Sequence, residues 1–177
     1  MTRSVTANFG GSAIGIIRRF LTFLAKMGLS VRDDPKRQVD IAGRAWGEPV
    51  EGLTLSVALK QQEDPDALPT VSVAIHNRSA ETQRLMTRGW LHFFSVTVLA
   101  PDGRVTGLTP YGSQLMKPER QPAPAPVTLA PGEAVEADIP IGAIVEMRRT
   151  GKEYRVKASC EAPDGGQIVS NELPVKH

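Results

Sequence analysis

From Ala45 onward, hydrophobic and polar residues alternate with a period of two, the spacing of half-buried β-strands. Leu53, Leu55, Val57 and Leu59 are interleaved with Thr54, Ser56 and Lys60, and Val71, Val73 and Ile75 with Thr70, Ser72 and His76. A third run, Trp90 to Leu99, puts Phe94, Val96 and Val98 on one face and Ser95 and Thr97 on the other. Val135, Ala137, Ile139 and Ile141 make a fourth. Tyr154, Val156, Ala158 and Cys160 then alternate with Arg155, Lys157, Ser159 and Glu161. A last strand is predicted over Ile168–Val175, with shorter candidates at Arg104–Leu108 and Val127–Ala130, about eight strands in all.

Turn chemistry falls between these runs, at Asn77-Arg78-Ser79, Pro101-Asp102-Gly103, Pro131-Gly132-Glu133 and Pro163-Asp164-Gly165-Gly166. Between Thr109 and Pro126 stand Pro110, Pro118, Pro122, Pro124 and Pro126, a density that excludes a central strand and predicts a long surface loop. Short strands without intervening helices predict an all-β fold: a two-sheet antiparallel sandwich over residues 45–177.

The segment ahead of it has another period. From Ala13 to Leu29 the non-apolar positions are Gly15, Arg18, Arg19, Thr22 and Lys26, one narrow stripe of a helix. Ile14, Ile16, Ile17, Phe20, Leu21, Phe23, Leu24 and Met27 cover the remaining surface, with Ser12 placed to cap the start and Gly28 to stop the end. Residues 30–44 lose the periodicity, carry mixed charge and contain Pro35, so they read as a linker or wrapping segment. The predicted organisation is a basic segment, residues 1–44, followed by the sandwich, residues 45–177.

Several short signatures accompany the alternation: Trp46-Gly47 before Gly52-Leu53, Val73-Ala-Ile-His-Asn77-Arg-Ser79, Ala100-Pro-Asp-Gly103, Leu129-Ala-Pro-Gly-Glu133, Gly151-Lys-Glu-Tyr-Arg-Val156 and Ser170-Asn-Glu-Leu173. With them the chain resembles bacterial immunoglobulin-like or fibronectin-III-like sandwich domains over residues 45–177. The resemblance implies an immunoglobulin-like fold, a binding or spacing role, and a corner tyrosine at Tyr154 before the penultimate strand. The paired cysteines of antibody-type domains are missing, so no inter-sheet disulfide is implied.

Charge sharpens the division into two parts. Residues 1–32 carry Arg3, Arg18, Arg19, Lys26 and Arg32 and no acid, leaving 16 of the 21 Lys and Arg against all 19 Asp and Glu. A +5 segment therefore leads a −3 domain. Nucleic-acid binding needs basic side chains interleaved with exposed aromatics, and here the cations line the thin polar edge of an apolar helix. No nucleic-acid partner is expected.

The candidate chemistry is sparse. Cys160 is the one cysteine and there are three histidines, which excludes a cysteine-based zinc finger. A blue-copper sandwich would place His and Met shortly after the cysteine, but Glu-Ala-Pro-Asp-Gly-Gly follows Cys160. Cys160 is expected to be a packed thiol, His76 a solvated residue by a turn, and His92 a core or rim histidine in phase with Phe94. No Gly-x-Ser-x-Gly elbow is present. Gly10-Gly11-Ser-Ala-Ile-Gly15 lacks a phosphate-binding lysine and follows no strand, although Gly11 and Gly15 give a small-residue spacing that admits a close helix. The Asn77-Arg78-Ser79 sequon reads as a turn. The expectation is no enzyme, no cofactor, no metal and no small-molecule substrate.

The helix is then the informative feature. Its 17 residues reach about 25 Å, short of the roughly 30 Å hydrocarbon core. Its strongly apolar residues supply roughly −2 to −5 kcal/mol, against roughly +7 to +10 for Arg18, Arg19 and Lys26, so it does not span. As an export signal it is broken by Lys26 and followed by no small-x-small cleavage site, a twin-arginine match is loose, and the distant Cys160 excludes a lipoprotein anchor. A wide apolar face with a basic edge suits docking, either to anionic headgroups or to a groove in a membrane-protein complex. The residues that would dock are Ile14, Ile17, Arg18, Arg19, Phe20, Leu21, Leu24 and Lys26. The resulting reading is a non-catalytic accessory or stabilising subunit, peripheral to a membrane on its cytoplasmic face for want of a clear export signal, with the periplasmic side as the alternative. The competing reading is a soluble binding module, protease-inhibitor-like or ligand-binding, whose helix packs on its own fold.

Overall fold

The computed structural model describes residues 36–37, 39–61, 67–148 and 151–177. The helix predicted over 13–29 lies outside them. Val31–His177 forms one compact unit, and its described part is mostly β, with every strand pair antiparallel.

β1 (Leu53–Leu59) and β2 (Val71–Asn77) form where the sequence alternates, and they pair in register from Leu53↔Asn77 to Leu59↔Val71. β6 (Ala134–Ile139) lies on the far side of β2 and completes a three-stranded sheet. The second main sheet is built on β7 (Glu153–Glu161), which pairs with β4 (Ser95–Leu99) along one edge. Its other edge takes two short strands in turn, β8 (Gln167–Val169) against Ser159–Glu161 and β9 (Leu173–Lys176) against Glu153–Val156. Leu53, Leu55 and Val57 of β1, Val71, Val73 and Ile75 of β2, and Val135 and Ile139 of β6 share one buried core with Tyr154, Val156, Ala158 and Cys160 of β7. Each such aliphatic side chain removed from water contributes about 1.5–3 kcal/mol, so the alternation that makes the strands also joins the two sheets.

A third, smaller ladder joins β3 (Gln83–Thr87) to β5 (Ala125–Leu129). β3 was not expected. It follows the usual code at Arg84 and Leu85 but reverses it at its end, with Thr87 buried and Met86 exposed. Nor is Thr109–Pro126 one extended loop: Thr109 Oγ1 accepts from Gly112 N and caps a short helix, α2 (Pro110–Leu115). A 3₁₀ turn (Pro118–Arg120) follows, and β5 then tolerates Pro126 because it pairs on one side only.

Three further expectations are corrected. The run from Trp90 begins as a helix, α1 (Trp90–Phe93), because Trp90, Leu91 and Phe94 are buried at helical spacing and the rings of Trp90, Phe93 and Phe94 pack at 5.0–5.8 Å. The alternation at Val135 ends at Ile139, since Pro140 leads into α3 (Ile141–Ile144). Arg104–Leu108 makes only isolated bridges, Val105 to Leu99 and Leu108 to Val145, while the Ile168–Val175 run is broken in two at Ser170–Glu172. Nine strands are therefore found among the described residues, rather than eight.

Candidate interaction surface

The docking residues expected from sequence, Ile14, Ile17, Arg18, Arg19, Phe20, Leu21, Leu24 and Lys26, all lie outside the described residues. What can be built from the described part is the disposition of its polar groups, and most of them hold one element to another.

The outer face of the β1-β2-β6 sheet carries Ser72, His76, Glu136 and Asp138, in the opposite phase to the core. A strap made of residues 36–37 and 39–47 lies across it. Lys36 bridges Glu136 backbone to backbone, with both N–H···O bonds at 3.0 Å. Arg44 donates to Ser72 Oγ at 2.8 Å and ion-pairs with Glu136, both side chains nearly buried. Lys60 ion-pairs with Asp138, and Arg37 with Glu133 beside a shallow groove of about 380 Å³ that Ile41 and Gly132 also line. Trp46 closes the strap over His76, with ring centroids 5.4 Å apart. Gly47 must be glycine, because a Cβ there would stand 1.9 Å from the Val169 carbonyl oxygen. These contacts are what the described part of residues 30–44, read from sequence as a linker or wrapping segment, makes with the sheet.

His76 is thus half-buried rather than solvated. Burial, helped by the nearby Arg78 cation, pushes its imidazole below its ordinary value of about 6.5. Above that value the residue is neutral in both the folded and the unfolded chain. As pH falls through about 6.5 the unfolded chain takes up its proton first, so stability declines until pH passes the lower folded value. Chemical denaturation at roughly pH 7.5 and roughly pH 5 should register that loss in the native protein and a smaller one in His76→Gln.

Two asparagines and a tyrosine bond the backbone. Asn77, fully buried, donates from Nδ2 to the Glu81 and Leu129 carbonyls at 2.7 and 2.9 Å, and its Oδ1 accepts from Ser79 N and Ser79 Oγ at 3.0 and 2.7 Å. The Asn-Arg-Ser sequon is therefore a turn whose amide is already engaged. Tyr154 Oη accepts from Arg148 N at 2.8 Å and donates to Arg148 O at 3.2 Å; it lies within β7, third from the last strand, rather than before the penultimate one. Asn171, between β8 and β9, spans to the other sheet: its Oδ1 accepts from Val57 N at 2.9 Å and its Nδ2 donates to Val57 O at 3.0 Å. That carboxamide acts as a surrogate strand residue on the edge of β1.

Cys160 sits in the core between the sheets, and burial pushes its thiol up to about 12, where almost no thiolate exists at neutral pH. Cys160→Ala should lower stability by about 1–2 kcal/mol, and a thiol reagent should label the native protein only at the rate of unfolding. His92 lies on α1 rather than on a strand, and its Nδ1 has no hydrogen-bond partner among the described residues.

The surface features that sequence reasoning missed stand on the β3–β5 ladder. Arg84 and Met86 point outward, Met86 at 58% exposure, and exposed Arg88 follows. The signal available was the alternation of Arg84, Met86 and Arg88 against Leu85 and Thr87, too brief to stand out. Among the described residues no helix is long and apolar enough to cross a membrane.

No protein-family model matches this chain, and no curated protein matches it. Among solved structures it is similar to the GAE domain of GGA2p from Saccharomyces cerevisiae, at 9% identity and a TM-score of 0.26, over 76% of this chain and 96% of that one. A likeness of that size carries no argument about this protein.

Proposed function

We propose that this protein is a non-catalytic interaction module of immunoglobulin-like topology, an accessory or stabilising subunit that docks through residues 13–29 onto a membrane-protein complex. The observation that supports a scaffold rather than a catalyst is how the polar groups are used. Asn77, Asn171, Tyr154 and the Arg44–Glu136 pair each hold one part of the backbone or sheet to another, and the thiol is kept protonated in the core. The docking part rests on the sequence of the leading segment, whose wide apolar face and cationic edge fit a groove better than open water. Fractionation of the untagged native protein, with a mild-detergent pull-down, tests it. Co-sedimentation with membranes and recovery of a stoichiometric membrane partner are expected, whereas a protein wholly in the soluble fraction would overturn the proposal.

A further inference from the structure

Sheet edges are hazards that proteins blunt, and here most edges carry a visible device. β1 is capped at Val57 by Asn171 and at Leu55 by Gly47 N–H. β6 is bridged at Glu136 by Lys36, β4 is covered at Val98 by Thr106, and β9 and β5 carry Pro174 and Pro126. β3 has none of these.

The direction of its free groups follows from Pro126. Antiparallel partners alternate between pairs that exchange two hydrogen bonds and pairs that exchange none. Pro126 has no N–H, so Met86↔Pro126 is a pair of the second kind, and the ladder bonds fall on Leu85↔Val127 and its alternate neighbours. The N–H and C=O groups of Arg84 and Met86 therefore point away from β5, and no backbone group among the described residues bonds them. Beside that edge stand the side chains of Arg84, Met86 and Arg88, all exposed, and neither arginine forms an ion pair among the described residues. The facing positions of β5, Pro126 and Thr128, add no carboxylate.

We infer that the open edge of β3 binds an acidic, extended peptide segment of a partner protein, which adds as a strand along Arg84–Met86 and places carboxylates against Arg84 and Arg88. Strand addition supplies main-chain bonds, and alternate side chains supply selectivity. The unpaired cations fix the sign of the ligand, and Met86 offers the apolar contact between them. Pairing of β3 with β3 of a second copy would bring four arginines to one seam without a counter-charge, which argues against a dimer as the occupant. The inference rests on the interaction-module reading but adds a site separate from residues 13–29.

The test titrates the full-length, isotope-labelled protein with a capped peptide of alternating Glu and Val. Its controls are the Lys counterpart and a version N-methylated at alternate residues, which cannot form the ladder. The amide signals of Arg84 and Met86 should shift and gain exchange protection with the Glu peptide alone. Arg84→Glu combined with Arg88→Glu should weaken binding about tenfold or more. Met86→Pro, which removes an outward donor and no ladder bond, should abolish it. Unmoved Arg84 and Met86 signals, or undiminished binding of the N-methylated peptide, would overturn the inference. So would concentration-dependent protection of the same amides without peptide, which would make a second copy the occupant. None of these results depends on membrane recovery, so this site can fail while the docking proposal stands, and the reverse.

Discussion

Asn77→Ala should be the most damaging substitution of a polar side chain in the described part of the chain, lowering unfolding free energy by about 3–4 kcal/mol. The side chain is fully buried and all its hydrogen-bonding groups are used. Removing it takes a donor from each of the Glu81 and Leu129 carbonyls and the shared acceptor from Ser79 N–H and Ser79 Oγ, four hydrogen bonds in all, although Ser79 Oγ can still donate to the Glu81 carbonyl at 3.0 Å. A buried polar group left without its partner costs roughly 1–3 kcal/mol, and three elements lose contact at once: the end of β2, the turn before β3 and the end of β5. Asn77→Asp should be no better, because it preserves the acceptor for Ser79 but replaces two donors with a buried charge facing two carbonyl oxygens. Urea denaturation measures both. A loss under about 1 kcal/mol for Asn77→Ala would mean that water takes over the bonds, and that the turn is held by something else.

Leu21→Asp should release the protein from membranes, while Arg18→Gln and washing in about 0.5 M salt should leave most of it bound. Two modes of docking are being separated. If anionic headgroups held the helix, Arg18, Arg19 and Lys26 would each contribute roughly 1 kcal/mol, and salt would screen that attraction. If a protein groove holds it, Ile17, Phe20, Leu21 and Leu24 would each contribute roughly 1.5–3 kcal/mol with little dependence on salt. Apart from the terminal Gly28, the apolar face leaves only five of seventeen positions non-apolar, too wide for a helix half-immersed among headgroups. Complete release by salt, with Leu21→Asp still attached, would replace the groove by a surface-electrostatic anchor.

The strands that were legible in the sequence are those whose two faces have opposite chemistry. β7 reads cleanly because Tyr154, Val156, Ala158 and Cys160 are buried and Arg155, Lys157 and Glu161 exposed, and β1 and β2 read almost as well. Where burial departs from polarity the pattern fails. Thr87 is inside and Met86 outside, so β3 was silent, and its uncapped edge with it. Trp90 and Phe93 suit a strand by composition, yet packing of their rings with Phe94 selects a turn of helix. Asn77 was legible as a turn residue, but not as the bond joining two ladders, since Leu129 stands 52 positions away. Asn171 carried no local sign of its role at all.

That last contact has a consequence for how the chain is made. Val57 and Asn171 are separated by 114 positions, so a ribosome extending the chain by about 5–20 residues each second needs roughly 6–23 seconds between them. Throughout that interval β1 can pair with β2 and take the Gly47 bond at Leu55, but its outer rim is uncapped at Val57, and the nascent chain exposes that part of a hydrophobic strand to its neighbours on the polysome. Asn171→Ala would extend this vulnerable window into the lifetime of the finished molecule, so its signature should be aggregation during expression rather than a large loss of thermal stability once folded.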